Sequence, residues 1–519
     1  MKNIKNIALL FILITASTGC SDTYLDTVPT SSTSTKTIFE TTDNAKQAIN
    51  GIARLMVNQY SDFSQVFCGE GTIKFLFGEY TGENFSRPRL TGWSRVMNSN
   101  YLENSNSISY NGYPWFYYYE LIGNANSIIA SIDDATGTEQ QRQYIKAQAL
   151  TYRAYCYTQL VQFYCYRWDD SSNGTAVSKR NNGLVLRTEE NMEETDVPLS
   201  SSGNIYEQIY KDLDEAISLY KSSGIKRNNI WEPNIDVANA VYARAALNRK
   251  DYATAASKAV EARAEYPLMS NAEYTSGFSE PNKEWIWGSY GGDDQTLYYY
   301  GFHSYMAYDA NTSIIRTYPV CISKELYDKI PDADIRKNIF LDGKLYGYSK
   351  VNGELLKAAD ANQVRAAHQT MIPSHKIAAY MSFKFSIKGS NGVGYINHFR
   401  SAEMYLIEAE AKHYQDDDTG AQAAMNTLIK NSGRDASYTC TVTGNELKSE
   451  IKKYRAIELW GEGFDWPDKK RYNEKLVRHD FNNGGSFAEA MAITLEPNFA
   501  NGWTYFTPYR EYNYNHALD

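Results

Sequence analysis

The chain has 519 residues and sets 52 Lys+Arg against 61 Asp+Glu, a formal charge of −9. With 43% apolar and 22% charged residues it reads as a folded globular protein, which excludes disordered, collagen-like, coiled-coil and small disulfide-scaffold classes. A mildly acidic chain without a basic run is not built for nucleic acid. Its 43 Tyr, 20 Phe and 9 Trp make aromatic surface its distinguishing resource.

Lys2 and Lys5 precede a short apolar stretch, Ile7 to Ala16, that breaks into Ser17-Thr18-Gly19-Cys20. This is the pattern of a secretory signal peptide over residues 1–19, too short to cross hydrocarbon as a helix. Small residues before a cysteine resemble a bacterial lipobox, with Ser17 where Leu is usual; the alternative is an ordinary signal peptide with an incidental Cys. An acylated Cys20 would anchor the mature chain, because several acyl chains hold where one does not. Residues 20–37 are a polar, Ser/Thr-rich tether. No later stretch is apolar for long enough to make a transmembrane helix.

Residues 38–270 carry helical periodicity. Leu121, Ala125, Ile128, Ile129 and Ile132 form one stripe. Thr138 and Gln141 make a capping-box signature before a helix reaching about Trp168. Asn204 and Glu207 open another. Residues 236–266 predict a helical hairpin about Lys250-Asp251, with Ala243, Ala255, Ala262 and Pro267 at tetratricopeptide spacing. From 271 to 400 the texture is Gly-rich, Tyr-rich and β-branched, predicting irregular structure with short strands. Residues 401–519 return to helix: a hairpin about Asp416–Asp418 with Ala409 and Ala421, then a helix from about Glu446 to Trp466. The fold class is mostly α, with tetratricopeptide-like pairs supporting an irregular, loop-rich half, in one intertwined body.

Cys68, Cys156, Cys165, Cys321 and Cys440 are odd in number and contain no C-x-x-C, so they read mainly as buried small hydrophobes. There is no nucleophile elbow, zincin helix, phosphate loop or dinucleotide fingerprint, and the seven histidines include no i,i+4 pair. No cofactor, metal or catalytic residue is expected. Glu458, Glu462, Asp465 and Asp468 bring to mind a glycosidase pair. On a helix, though, Glu458 and Glu462 would face Arg455 and Arg471, which makes them structural ion pairs.

Two aromatic clusters remain. Tyr110, Tyr113, Trp115, Phe116, Tyr117, Tyr118 and Tyr119 open a helix and are expected mostly in the core. The cluster over 285–308 is mixed with Gly288, Gly291 and Gly292, which would let the chain turn tightly and present rigid aromatics. Trp287, Tyr290, Tyr298, Tyr299 and Tyr300 are therefore candidate ligand contacts, together with Trp93, and Trp285 is placed in the core.

Several segments are similar, in order, to the SusD/RagB family of Bacteroidota outer-membrane lipoproteins. Cys20-Ser21-Asp22-Thr23-Tyr24-Leu25-Asp26 with Pro29 resembles its start. Ala48–Leu55, Tyr206–Ala216 and Glu403–Ala411 resemble its helices. Arg455, Glu458, Glu462, Asp468 and Arg471 follow its R-x-x-E-L-x-x-E-G…D-x-x-R motif, with Asp465 where Arg is usual. Pro508, Glu511 and Asn515 resemble its ending. The resemblance implies a non-catalytic, lipid-anchored protein of the outer membrane at the cell surface. It would capture oligosaccharides for a SusC-like TonB-dependent transporter. Oligopeptide cargo, a surface glycoside hydrolase and a bare tetratricopeptide scaffold are the alternatives.

Overall fold

The computed structural model describes residues 38–60, 67–89, 97, 108–171, 174, 182–291, 300–389, 392–497 and 503–518. The leader, Cys20 and the tether lie outside them. Helix α1 (Thr42–Leu55) starts where the Thr41 side chain accepts from the Asn44 amide, and it buries Ala45, Ile49 and Ile52 on one face. Helix α2 (Ile108–Ser131) carries the first aromatic cluster, and Tyr113, Trp115, Tyr117 and Tyr118 are buried. It also contains Pro114, whose ring disturbs the hydrogen-bond ladder. The Tyr164 hydroxyl repairs the break: it accepts from the Trp115 amide at 3.0 Å and donates to the Asn111 carbonyl.

Helix α3 (Glu139–Tyr164) has the expected capping box, with Gln141 N to Thr138 Oγ1 at 3.2 Å and Thr138 N to Gln141 Oε1 at 2.9 Å. It stops at Tyr164, short of Trp168, because Cys165 turns extended and Lys470 takes the terminal carbonyls. Its Nζ donates to Gln162 O at 2.6 Å and Cys165 O at 2.9 Å. Burial lowers the Lys470 ammonium to about 7. Helix α4 (Ser202–Ser223) is capped by Ser201, which accepts from the Asn204 amide; Asn204 is thus inside the helix instead of opening it.

Helices α5 (Ile235–Arg249) and α6 (Tyr252–Arg263) form the expected hairpin. Lys250 turns it at φ 63°, and Asp251 caps α6 by accepting from the Thr254 amide. Ala243, Ala255 and Ala262 are fully buried where the helices approach closely. Helices α7 (Ser401–His413) and α8 (Asp418–Asn426) repeat the device with buried Ala409 and Ala421.

The helix expected over 446–466 is two: α9 (Gly444–Glu458) and α10 (Asp465–Tyr472). Gly461 and Gly463 take φ 80° and 97° between them, a left-handed path open to glycine. The break also lets Gly463 meet the π-helical segment Ile73–Glu79: a Cβ on Gly78 would lie 2.5 Å from Gly463 O.

The region 271–400 holds short helices and strands. Strands along the whole of the described chain, three of them in this region, pair antiparallel in twos: β1 (Phe85–Ser86) with β5 (Cys321–Ile322), β2 (Leu184–Val185) with β3 (Leu199–Ser200), β4 (Trp285–Gly288) with β6 (Asn397–Arg400), and β7 (Leu476–Val477) with β8 (Thr494–Leu495). One hydrophobic cluster runs from Ala45 to Tyr505 and joins helical and irregular parts. Cys68, Cys156, Cys165, Cys321 and Cys440 are buried and unpaired, and burial raises every one of these thiols. Among the described residues no helix is long and apolar enough to cross a membrane.

Candidate ligand-binding surface

The carboxylates of the C-terminal motif sit in a buried ion network. Arg400 donates Nε to Glu462 Oε2 at 2.9 Å, Nη2 to Glu462 Oε1 at 2.8 Å, and Nη1 to Glu458 Oε1 at 2.6 Å and Glu284 Oε1 at 2.8 Å. Arg336 Nη1 reaches Glu458 Oε2 at 2.7 Å, and Lys384 Nζ reaches Glu462 Oε1 at 2.6 Å. Burial alone would raise both glutamates. Arg400 with Arg336 outweighs it at Glu458, and Arg400 with Lys384 outweighs it at Glu462, so both stay below the ordinary carboxylate range.

The expected partners are therefore corrected: Glu458 and Glu462 pair with Arg400, Arg336 and Lys384, not with Arg455 and Arg471. The reason is the break after Glu458, which removes the i,i+4 relation. Arg455 and Arg471 instead share Asp468, and Arg471 also holds Glu410.

Asp465, in the position where the family motif has Arg, accepts from the Asn84 amide at 2.6 Å and from Asn84 Nδ2 at 2.7 Å. Nearby Glu79 accepts from the Gly463 and Phe464 amides through Oε1, while its buried Oε2 has no partner. Both border a cleft of about 750 Å³ walled by α9, α10 and residues 79–84. Burial and the Asp465 charge push Glu79 up to about 8; burial and the Glu83 charge push Asp465 up to about 7.

The aromatic candidates divide. Trp93, Tyr298 and Tyr299 lie outside the described residues. Trp285 is in the core, and so is Trp287, which corrects its assignment to an exposed platform. The period-2 pattern of a strand exposes one face only when that face is uncovered. Here β4 is buried at every residue. The Trp287 indole donates to Trp231 O at 3.0 Å and meets the Tyr155 ring edge-on at 5.0 Å. Gly288 and Gly291 do not adopt positive φ. Their missing Cβ serves close packing instead, since one on Gly291 would lie 2.5 Å from the Tyr395 ring.

Tyr290 and Tyr300 are half-buried. Tyr290 meets Trp231 edge-on at 5.1 Å, and the Arg54 guanidinium stands 5.7 Å from its ring. The β4–β6 pairing continues through Ser289, whose amide donates to Ile396 O and whose hydroxyl accepts from Ile396 N, each at 2.8 Å. That continuation brings Tyr395 to Gly291, beside Tyr290. Trp231, Tyr290 and Tyr395, all half-buried, thus form an aromatic face next to exposed Arg54, where the chain enters residues 292–299. Such rings offer flat apolar contact with little entropy to lose, and a guanidinium beside them binds hydroxyl or carboxylate oxygens. Sequence reasoning missed Trp231, Tyr395 and Arg54. The run Asn228-Asn229-Ile230-Trp231-Glu232-Pro233, a lone Trp in a polar, Pro-ended loop, was the available signal.

A family model described as "Starch-binding associating with outer membrane" matches residues 23–247, and the SusD family model matches residues 322–517. No curated protein matches the chain. Among solved structures, a SusD-like carbohydrate binding protein from Bacteroides vulgatus superposes with a TM-score of 0.73 at 22% identity, covering 92% of this chain and 98% of its own. A putative sugar binding protein from the same organism gives 0.70 at 19%, covering 92% and 97%. A SusD superfamily protein from Bacteroides thetaiotaomicron gives 0.66 at 19%, covering 87% and 96%. With the ordered motifs, the paired helices and these matches at both ends, the chain belongs to the SusD/RagB family.

Proposed function

We propose that this protein is a non-catalytic, cell-surface lipoprotein that captures oligosaccharides and delivers them to a SusC-like TonB-dependent transporter. The observation that carries the reading is the half-exposed aromatic face of Trp231, Tyr290 and Tyr395 with Arg54 beside it. Rings of this kind stack on the apolar faces of sugars, while Arg54 and neighbouring polar groups take hydroxyls. Two similar structures described as carbohydrate or sugar binding support the cargo class. Acylated Cys20 would supply the outer-membrane anchor.

Glycan-array binding of the chain starting at Ser21 tests the cargo; binding to oligopeptides and to no glycan would move the assignment to peptide capture. Mass spectrometry of the mature N-terminus tests the anchor, and an unacylated Cys20 or cleavage elsewhere would remove it from that role.

One observation favours a second reading, a glycoside hydrolase: Glu79 and Asp465 are neighbouring carboxyls with raised pKa beside a cleft. Both are already bound to amides of Gly463, Phe464 and Asn84, so the binding role is preferred. New reducing ends formed from a bound glycan, and lost in Glu79→Gln, would reverse that choice.

A further inference from the structure

Among the described residues, the aliphatic side chains more than half exposed are Leu345 (73%), Val351 (80%) and Leu356 (69%). All three fall within twelve residues, on one hairpin. Tyr348 pairs with Leu355, Ser349 N donates to Glu354 O at 2.8 Å, and Leu356 N donates to Gly347 O at 2.9 Å. The hairpin is fixed from below. Leu355 N donates to Ile377 O, Ala379 N donates to Gly353 O, and the Tyr348 ring packs on Phe481 at 5.7 Å. Gly353 turns at φ 66°, where a Cβ would stand 2.6 Å from the Phe481 ring. The apolar side chains are therefore held out on a rigid support, and binding there costs little ordering entropy.

The charged residues of the hairpin are mostly basic, and of its lysines Lys344 is paired with Asp328 at 2.8 Å. Lys344, Lys350 and Lys357 are exposed among them. Lys350 and Lys357 have no acidic partner among the described residues, while the single acid of the hairpin, Glu354, is bound by Arg89 at 3.1 Å and Lys376 at 3.4 Å. A local basic, aliphatic element thus stands on a chain whose formal charge is −9. Protein interfaces are depleted in Lys and anchored by aromatics and Arg. Here the hairpin tyrosines are half-buried and the exposed groups are Leu, Val and Lys. Aliphatic groups interspersed with Lys are the composition of elements that lie in a lipid headgroup layer, where each cation near an anionic surface adds attraction.

We infer that the hairpin 344–357 is a lipid-contacting element, inserting Leu345, Val351 and Leu356 among anionic headgroups while Lys350 and Lys357 meet their charges. It is a second, protein-borne contact with a membrane surface and does not depend on the cargo or on acylation of Cys20. In a tethered chain it would fix which face looks outward.

The test is flotation of the unacylated chain starting at Ser21, which keeps every described residue. The probes are vesicles of phosphatidylethanolamine with phosphatidylglycerol and vesicles of phosphatidylcholine alone. The chain is expected to float with the anionic vesicles, about tenfold more than with the neutral ones. Leu345→Ser/Val351→Ser/Leu356→Ser and Lys350→Glu/Lys357→Glu are each expected to lose that flotation with an unchanged melting temperature, as their side chains are exposed. A wild-type chain that stays at the bottom with anionic vesicles overturns the inference, as does a triple variant that floats like wild type. Loss of a protein partner by the triple variant, without vesicle binding by the wild type, would reassign the hairpin to a protein interface.

Discussion

Arg400 grips Glu462 with two parallel hydrogen bonds, Nε to Oε2 at 2.9 Å and Nη2 to Oε1 at 2.8 Å, and neither side chain is more than 5% exposed. The pair joins strand β6 to the turn between α9 and α10. Truncating one partner of a buried pair leaves the other charge uncompensated, and that penalty exceeds the small net worth of the intact pair. Glu462→Gln is expected to lower unfolding free energy by about 1–3 kcal/mol while leaving ligand affinity unchanged. Urea denaturation and calorimetric titration together check it; lost affinity at unchanged stability would place the binding site here instead.

Tyr164 supplies a second case of a distant group completing local structure. Its hydroxyl bridges the Trp115 amide and the Asn111 carbonyl where Pro114 interrupts α2. Tyr164→Phe keeps the ring packing and strands two buried backbone groups. A loss of about 1–3 kcal/mol is expected, against near neutrality for Tyr509→Phe, whose side chain is 60% exposed. Equal melting temperatures for the two variants would show that water replaces the bridge.

Glu79 and Asp465 give a pH dependence opposite to that of the ion network. Glu79 is raised from 4.5 to about 8, and Asp465 from 3.8 to about 7. The folded state holds their protons more tightly than the unfolded state, so their contribution is full below the ordinary carboxylate range. It is lost as pH rises through about 7 to 8. Glu458, Glu462 and Glu410 are lowered, so theirs is present above that range and lost as pH falls below it. Between pH 5 and pH 8.5 the unfolding free energy of the wild type is expected to decline relative to that of Glu79→Gln, the difference between the two curves carrying the Glu79 contribution. Parallel curves would show that Glu79 is ionised throughout.

What was legible in the sequence is what short spacing decides. The capping box at Thr138 and Gln141, the alanines of the α5–α6 hairpin and the core role of Tyr113 to Tyr118 each depend on neighbours within a helix or two. The partners of Glu458 and Glu462 were not legible. Arg400, Lys384 and Arg336 lie 58 to 122 residues from them, and Gly461 at positive φ cuts the expected helix between the two acids. Trp287 failed for a related reason: strand alternation gives the period of the faces but not which of them are covered, and here the α3 rings Tyr152 and Tyr155 pack on Trp287. Trp231 and Tyr395 escaped notice as single aromatics, because only the β4–β6 pairing brings Tyr395 to the side of Tyr290.

The aromatic face yields the most direct test of the proposed function. Trp231 is held from behind, since its carbonyl accepts the Trp287 indole N–H and the Tyr152 hydroxyl, so its position is set before any ligand arrives. Tyr290 stands edge-on to it, and Tyr395 is fixed by the Gly291 backbone it covers. Rigid, half-exposed aromatics concentrate binding energy, and truncating one that contacts ligand costs about 2 kcal/mol or more. Tyr290→Ala is therefore expected to weaken binding of a confirmed oligosaccharide by at least about thirtyfold with little change in melting temperature. Trp287→Ala should instead unfold the protein at lower temperature, as expected for a buried Trp in the core, where such truncations cost about 3–5 kcal/mol. Arg54→Ala should weaken binding less, by the loss of one charge-assisted hydrogen bond. If Trp231→Ala, Tyr290→Ala and Tyr395→Ala all bind like wild type, the ligand lies elsewhere and the face is structural.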